Sequence, residues 1–217
     1  MVWSFLTRAN RPTSRGCDKL SLEVSVAIRR IAVTGGPGAG KTTLWRELSQ
    51  TYVGRVLPVP EVATLMFRHI FPPVRDEAER LAVQRSIYHV QRELEGVYEA
   101  RALADQILLC DRGTVDGGGY WPAGHEAFFD AMATRWVDEL ARYDAVLFME
   151  SAALGGLAID AGNAVRTEDL ATAAAIDARL RDAWGGHRRF MHVPHALQFE
   201  DKLRNANAAF AKLLQAG

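Results

Sequence analysis

The feature that most constrains this chain is a glycine-rich segment, Gly35–Thr42, which lies between an apolar run and a stretch of helical character. It matches the pattern G-x-x-x-x-G-K-[S/T], and a further threonine follows it. The run before it, residues 30–34, predicts a buried strand, and residues 44–48 predict the beginning of a helix. A strand, a glycine-rich turn and a helix in this order predict a phosphate-binding loop.

The residue types in this segment suit the binding of a nucleoside triphosphate. Glycines tolerate the positive φ angles that let backbone N–H groups surround phosphate oxygens, and the helix N-terminus adds further unpaired N–H groups. Lys41 would reach the β- and γ-phosphates, and the Thr42 hydroxyl would hold Mg²⁺. No Asn-Lys-x-Asp element occurs, so we expect ATP and not GTP. The nucleotide-binding residues are predicted to be Gly35, Gly36, Pro37, Gly38, Ala39, Gly40, Lys41, Thr42 and Thr43.

Alternating apolar runs and helical patterns predict an α/β fold with a five-stranded parallel sheet between two helical layers. The further strands are predicted at residues 56–60, 106–110, 145–149 and 190–193. Helices are predicted at residues 61–70, 76–104, 126–143, 167–184 and from 197 onward. Residues 117–119 are predicted to form a loop, and residues 155–163 a mobile lid.

The longest predicted helix, residues 76–104, carries its apolar side chains at helical spacing. Gln91 and Glu95 share one face of this helix. They could approach an acceptor molecule, but a solvated face is the interpretation that we favour. The apolar positions are Leu81, Ile87, Val90, Leu94 and Val97.

Length and composition limit the classes of protein that fit. The 217 residues suit one α/β domain over residues 29–217, preceded by a disordered extension over residues 1–28, with a transit peptide as the alternative. Lys+Arg and Asp+Glu both number 26, so no net charge favours nucleic acid, and no apolar run is long enough to span a membrane. Cys17 and Cys110 fit neither a disulfide framework nor a zinc site, which favours a reducing, cytoplasmic location. His187, His192 and His195 match no zinc spacing either.

Asp111 and Arg112 directly follow the third predicted strand. They are the second group of residues that could take part in binding or catalysis. A carboxylate at the end of such a strand can hold Mg²⁺ together with Thr42. The alternative is that Asp111 caps the turn into Gly113. Arg112 could grip a phosphate or a substrate carboxylate in bidentate fashion, or it could form an ion pair within the scaffold.

Three further elements follow the phosphate loop in a fixed order: Val59-Pro60-Glu61, Asp111-Arg112-Gly113 and Arg166-Thr167-Glu168. Together they resemble a family of small AAA-type P-loop ATPases and kinases, with a similarity that covers roughly residues 29–205. The ribosylnicotinamide kinase domain of bacterial NAD regulators is a relative, and thymidylate and deoxynucleoside kinases resemble the chain more distantly. The resemblance implies a three-layer, kinase-like P-loop NTPase fold.

The resemblance also implies roles for individual residues. Glu61 would face the acceptor and act as a base, although it could equally be an acid in the first turn of its helix. Arg166 would close over the transferring phosphoryl group, or it could lie on a solvated loop. With Lys41, Asp111 and Arg112 they form the predicted catalytic set, and Asp111 could also serve as the base. Asp116, Tyr120 and Trp121 could line an acceptor pocket, although for the two aromatic residues we favour a packing role.

These observations favour an ATP- and Mg²⁺-dependent phosphotransferase that acts on a small hydroxyl-bearing metabolite, for which a nucleoside-like compound is one candidate. An NTP-hydrolysing regulator without an acceptor and a nucleotide-sensing module are the alternatives. We expect a monomer or a homodimer whose partners are ATP and a small molecule, with no nucleic acid and no membrane. A kinase needs an enclosed pocket between the Pro60-Glu61 turn and residues 111–121, whereas a regulator would expose switch loops there.

Overall fold

A computed structural model describes residues 29–155 and 169–215, so the predicted extension over residues 1–28 lies outside the described part. Its five strands pair in parallel in the order β2-β3-β1-β4-β5, and this confirms the predicted sheet. The central strands are almost wholly apolar and buried, because helices cover both faces of the sheet. The strands are β1 (Arg29–Thr34), β2 (Val56–Val59), β3 (Ile107–Asp111), β4 (Ala145–Met149) and β5 (Phe190–Val193).

Helices form the two outer layers and confirm the three-layer α/β fold. Leu44, Leu48 and Phe210, from the first and last helices, pack on one face of the sheet. Tyr88, Phe128 and Trp184, from helices in the middle of the chain, pack on the other face. The helices are α1 (Lys41–Thr51), α2 (Val62–His69), α3 (Glu77–Glu99), α4 (Asp116–Tyr120), α5 (Gly124–Ala131), α6 (Trp136–Leu140), α7 (Leu170–Gly185) and α8 (Phe199–Gln215).

Some predicted helix boundaries were wrong. The glycines at 117–119 lie inside α4 and do not form a loop. The single helix predicted over residues 126–143 is two helices, α5 and α6, because the chain turns between them with Ala133 in a left-handed conformation at φ 52°. Helix α7 begins at Leu170 and is capped by the Asp169 side chain, which accepts the N–H of Thr172 at 2.7 Å. The predicted cap, Thr167, and the lid residues from 156 onward lie outside the described residues.

The buried face of α3 also differs from the predicted one. Val90 and Val97 are 43 % and 46 % exposed, whereas Gln91 and Glu95 are buried, so the prediction of a solvated face for these two was wrong. The Glu95 carboxylate accepts hydrogen bonds at 2.7 Å from Arg142 and from the Tyr143 hydroxyl. Gln91 in turn donates to Glu95 at 3.0 Å. Burial is tolerated here because these polar groups have partners on distant elements.

The carboxyl ends of all five parallel strands lie at one edge of the sheet. Adjacent strands β1 and β3 are in register there, with Val33 opposite Asp111. The glycine-rich loop after β1 therefore lies beside the segment after β3, in the crevice where open α/β sheets bind ligands. Within the described ranges, no helix is both long and apolar enough to cross a membrane.

Candidate active site

The glycine-rich loop leads into the N-terminus of α1, and its backbone conformation requires glycine at several positions. Gly35, Gly38 and Gly40 have φ angles of 137°, 70° and 83°, a region that side chains with a Cβ rarely adopt. A Cβ on Gly35 would also lie 1.9 Å from the carbonyl oxygen of Met149. Lys41 is buried at the first position of α1, and its Nζ donates to the Gly36 carbonyl at 2.6 Å. The loop thus holds a cation and an open helix N-terminus together, which suits the binding of phosphates.

Asp111 lies next to this loop and suits a magnesium ion. Burial and the charge of Glu61 raise the pKa of Asp111 to about 6, against the opposite effects of Lys41, Arg112 and a hydrogen bond with Thr42. Its Oδ1 is buried and has no hydrogen-bond partner among the described residues. A carboxylate oxygen with free lone pairs beside a threonine hydroxyl fits the hard oxygen ligands that Mg²⁺ prefers.

Replacing Asp111 by asparagine is expected to stabilise the nucleotide-free protein at pH 7.5 while weakening Mg·ATP binding. The folded-state pKa of Asp111 lies above the usual 3.8, so the ionised carboxylate costs stability on the order of 3 kcal/mol above pH 6. That cost shrinks between pH 6 and pH 4, because the folded carboxyl then gains a proton. Thermal unfolding of both proteins at pH 7.5, 6 and 4.5 tests this, and a lower melting temperature for Asp111→Asn at pH 7.5 would contradict it.

Arg112 joins the two sides of the site. Its Nε donates to Glu61 at 2.5 Å and its Nη1 to Asp116 at 2.6 Å, and its guanidinium lies 5.6 Å from the centre of the Tyr120 ring. Its φ of 72° is left-handed, a strained conformation for a residue with a side chain. The Nη2 group is buried and has no partner in the described part of the chain. Arg112 therefore forms the predicted scaffold ion pairs, and its contact with a phosphate or a substrate carboxylate stays a prediction.

Glu61 and Asp116 hold Arg112 from different elements. Glu61 is the N-cap residue of α2, and its carboxylate also accepts the Thr64 hydroxyl of the first turn at 2.6 Å. The choice between a base and an acid at the helix start therefore stays a prediction. The Asp116 carboxylate also accepts from Thr34 and from the Trp184 indole, both at 2.8 Å. This buried network ties the loop after β3 to the end of β1 and to α7.

A cavity of about 650 Å³ opens beside Arg112 between α2, α3 and α4. Its volume lies within the range of small-molecule sites. Its polar wall carries Glu61, Arg112 and Asp116, with Gln84 and Gln91 from α3. Apolar and aromatic side chains form much of the rest, among them Phe67, Phe71, Val83, Ile87 and Tyr120. Trp121 packs in the core next to Phe128, in agreement with the packing role that we favoured.

The structure brings most of the predicted site residues together. Lys41 and Thr42 lie beside Asp111, and Glu61 and Arg112 connect that position to the cavity. Arg166 lies outside the described residues. Among the residues described, no group of three or more His, Cys, Asp or Glu side chains is arranged to hold a metal ion.

Sequence reasoning missed three residues that contact the phosphate loop. Asp177 of α7 accepts the Gly36 N–H at 2.8 Å, and Ser151, after β4, donates to the Pro37 carbonyl at 2.5 Å. Lys202 of α8 donates to the Ala39 carbonyl at 2.8 Å. The contacts link residues more than 100 positions apart, so no local pattern points to them.

The model of the AAA domain family matches residues 30–202, which include the phosphate loop, Glu61, Asp111, Arg112 and Lys202. No curated protein matches the chain significantly.

Proposed function

Because the chain belongs to the AAA domain family, a family of nucleotide-binding P-loop proteins, we propose that it is an ATP- and Mg²⁺-dependent phosphotransferase. Its acceptor would be a small hydroxyl-bearing metabolite, and a nucleoside-like compound is the first candidate. Family membership and the three-layer fold support nucleotide binding. The choice of a kinase over a regulatory ATPase rests on the acceptor side of the site.

The observation that carries this choice is the cavity beside Arg112. It lies between Glu61 and the segment Arg112–Tyr120, which is where a kinase needs to enclose its acceptor. Glu61, Arg112 and Asp116 are all buried, whereas nucleotide-controlled switch loops have to be exposed to reach a partner. A pocket of about 650 Å³ lined by these buried groups favours a small molecule over a protein partner.

On the donor side, the proposed ligands of ATP are the loop Gly35–Thr43 and the ammonium of Lys41. Thr42 and Asp111 would hold Mg²⁺, which when bound neutralises charge on the phosphates. Lys41 stabilises negative charge on the transferring group. The resemblance assigns a similar role to Arg166, and that role stays a prediction.

On the acceptor side, the proposed reaction moves the γ-phosphoryl group from ATP to a hydroxyl oxygen. The hydroxyl proton goes to Glu61, the new O–P bond forms as the bond to the β-phosphate oxygen breaks, and ADP leaves. Arg112 orients Glu61 through the 2.5 Å ion pair. Asp111 is the second candidate for the base. Catalysis is therefore mostly positioning and charge stabilisation.

A panel experiment tests the proposed function. ATP consumption by the full chain is measured with Mg²⁺, with and without nucleosides, sugars and other small alcohols, and products are identified by mass spectrometry. We expect at least one compound to raise ATP consumption and to gain one phosphoryl group. ATP turnover that no compound stimulates, over a panel covering these classes, would favour the regulatory ATPase instead.

We further propose that the protein acts as a monomer or a homodimer in the cytoplasm and binds neither nucleic acid nor membranes. The balance of 26 basic and 26 acidic residues supports the proposal that the protein does not bind nucleic acid.

A further inference from the structure

Two carbonyl groups of the phosphate loop accept hydrogen bonds from side chains that are distant in the sequence. The Ser151 hydroxyl, just after β4, donates to the Pro37 carbonyl at 2.5 Å. The Lys202 ammonium, in the first turns of α8, donates to the Ala39 carbonyl at 2.8 Å and also to the Glu150 carbonyl. Both side chains are buried, so water does not compete for these contacts.

These contacts determine which way the neighbouring N–H groups point. A trans peptide unit is planar, so its N–H is directed opposite to its C=O. With the Pro37 carbonyl turned toward Ser151, the Gly38 N–H faces away from Ser151. In the same way, a carbonyl of Ala39 turned toward Lys202 directs the Gly40 N–H away from α8. Neither N–H donates a backbone hydrogen bond within the described part of the chain.

The two external contacts restrict a loop whose glycines could otherwise adopt other backbone conformations. Gly38 and Gly40 have φ angles of 70° and 83°, and glycine peptides can rotate between several allowed conformations at small cost. Pre-organising two donors before the ligand arrives removes an ordering cost from binding. A hydrogen bond to a charged oxygen is also stronger than one to a neutral group.

Lys202 has an unusual position for a lysine. Burial lowers the pKa of Lys202 to about 8, although the charges of Asp177 and Glu150 act in the opposite direction. Burial of an ammonium group lowers the stability of the fold. A buried lysine that contacts the phosphate loop is therefore typical of a functional position. Its positive charge also lies directly behind the loop that binds phosphates, which favours an anionic ligand.

We propose that Lys202 and Ser151 are positioning residues that pre-set the Gly38 and Gly40 N–H groups of the phosphate loop for the phosphates of ATP and ADP. The proposal rests on nucleotide binding at this loop and does not involve an acceptor. It therefore holds whether the chain is a kinase or a regulatory ATPase.

The test compares Lys202→Met and Ser151→Ala with the wild-type full chain. Methionine matches the length of lysine but cannot donate a hydrogen bond, and alanine removes only the hydroxyl. Lys212→Met is the matched control, because Lys212 is an exposed lysine on the same helix. Isothermal titration calorimetry measures Kd for ATP, ADP and pyrophosphate, and the last of these probes the phosphate loop without base or sugar. Circular dichroism and denaturant unfolding show that each variant is folded at the titration temperature.

We expect Lys202→Met to weaken the binding of all three ligands by about tenfold or more, and Ser151→Ala to weaken it less, since it removes one hydrogen bond and no charge. Lys212→Met should bind like the wild type. Wild-type affinity for pyrophosphate and ADP in folded Lys202→Met and Ser151→Ala would overturn the proposal, and so would an equal loss in Lys212→Met. If Lys202→Met does not fold, Ser151→Ala decides the outcome alone. These titrations contain no acceptor molecule. Their outcome is therefore independent of the acceptor panel, and a failure of the positioning role can be distinguished from a failure of the proposed function.

Discussion

Replacing Lys41 by alanine is expected to weaken ATP binding by at least about tenfold and to lower ATP turnover by about 10²- to 10³-fold, with the fold retained. The Lys41 ammonium is buried and lies 2.6 Å from the Gly36 carbonyl, so it is already held at the phosphate loop. Alanine removes the cation that would face the β- and γ-phosphates, and their negative charge then lacks its closest protein partner. Calorimetry with ATP and a coupled ADP-release assay measure the two effects.

The control for this change is Lys212→Ala, which removes an exposed lysine near the end of α8. Alanine is also the best helix former, so both substitutions are compatible with their helices. Thermal unfolding of both variants separates a loss of binding from a loss of folding. ATP affinity and turnover that are unchanged in Lys41→Ala would refute the assignment of the phosphate loop.

Local sequence patterns were sufficient for the strands, the phosphate loop and the position of Asp111. Each of these depends on residues that are neighbours in sequence: apolar runs for the strands, glycines for the turn, and a strand end for the carboxylate. The parallel arrangement followed from alternation with helices, because parallel neighbours need crossover connections. The break between α5 and α6 was missed, since alanine at residue 133 gives no sign of its left-handed conformation.

Contacts between distant segments could not be predicted. Glu95 looks like a surface residue of an amphipathic helix, and only its partners Arg142 and Tyr143, nearly fifty residues later, explain its burial. The same holds for Lys202, which is one more polar residue in the pattern of α8 and acquires a role only when α8 packs beside the loop. The sequence shows which side chains are able to form hydrogen bonds or ion pairs. Which of them meet is determined by how the helices pack on the sheet.

Replacing Glu61 by glutamine is expected to lower phosphorylation of the acceptor by about 10²- to 10⁴-fold, the usual contribution of a general base, while ATP still binds. Glutamine has the same shape and can still accept the Arg112 hydrogen bond, but it cannot take a proton at neutral pH. Arg112 keeps its ion pair with Asp116 at 2.6 Å, so the cavity wall retains a charged partner. The assay uses the acceptor identified in the panel and follows both product formation and ATP affinity.

Glu139→Gln is the control for Glu61→Gln, because Glu139 is also a buried carboxylate paired with an arginine, Arg92 at 2.5 Å, and is not among the residues that line the cavity. A second readout separates charge from packing. The Glu61 carboxylate raises the pKa of Asp111, so Glu61→Gln should lower that pKa and let Mg·ATP binding persist to more acidic pH. Glu139→Gln should leave the pH dependence unchanged. Full phosphorylation of the acceptor by Glu61→Gln would remove Glu61 as the base and leave Asp111, the neighbouring carboxylate whose raised pKa is about 6, as the remaining candidate.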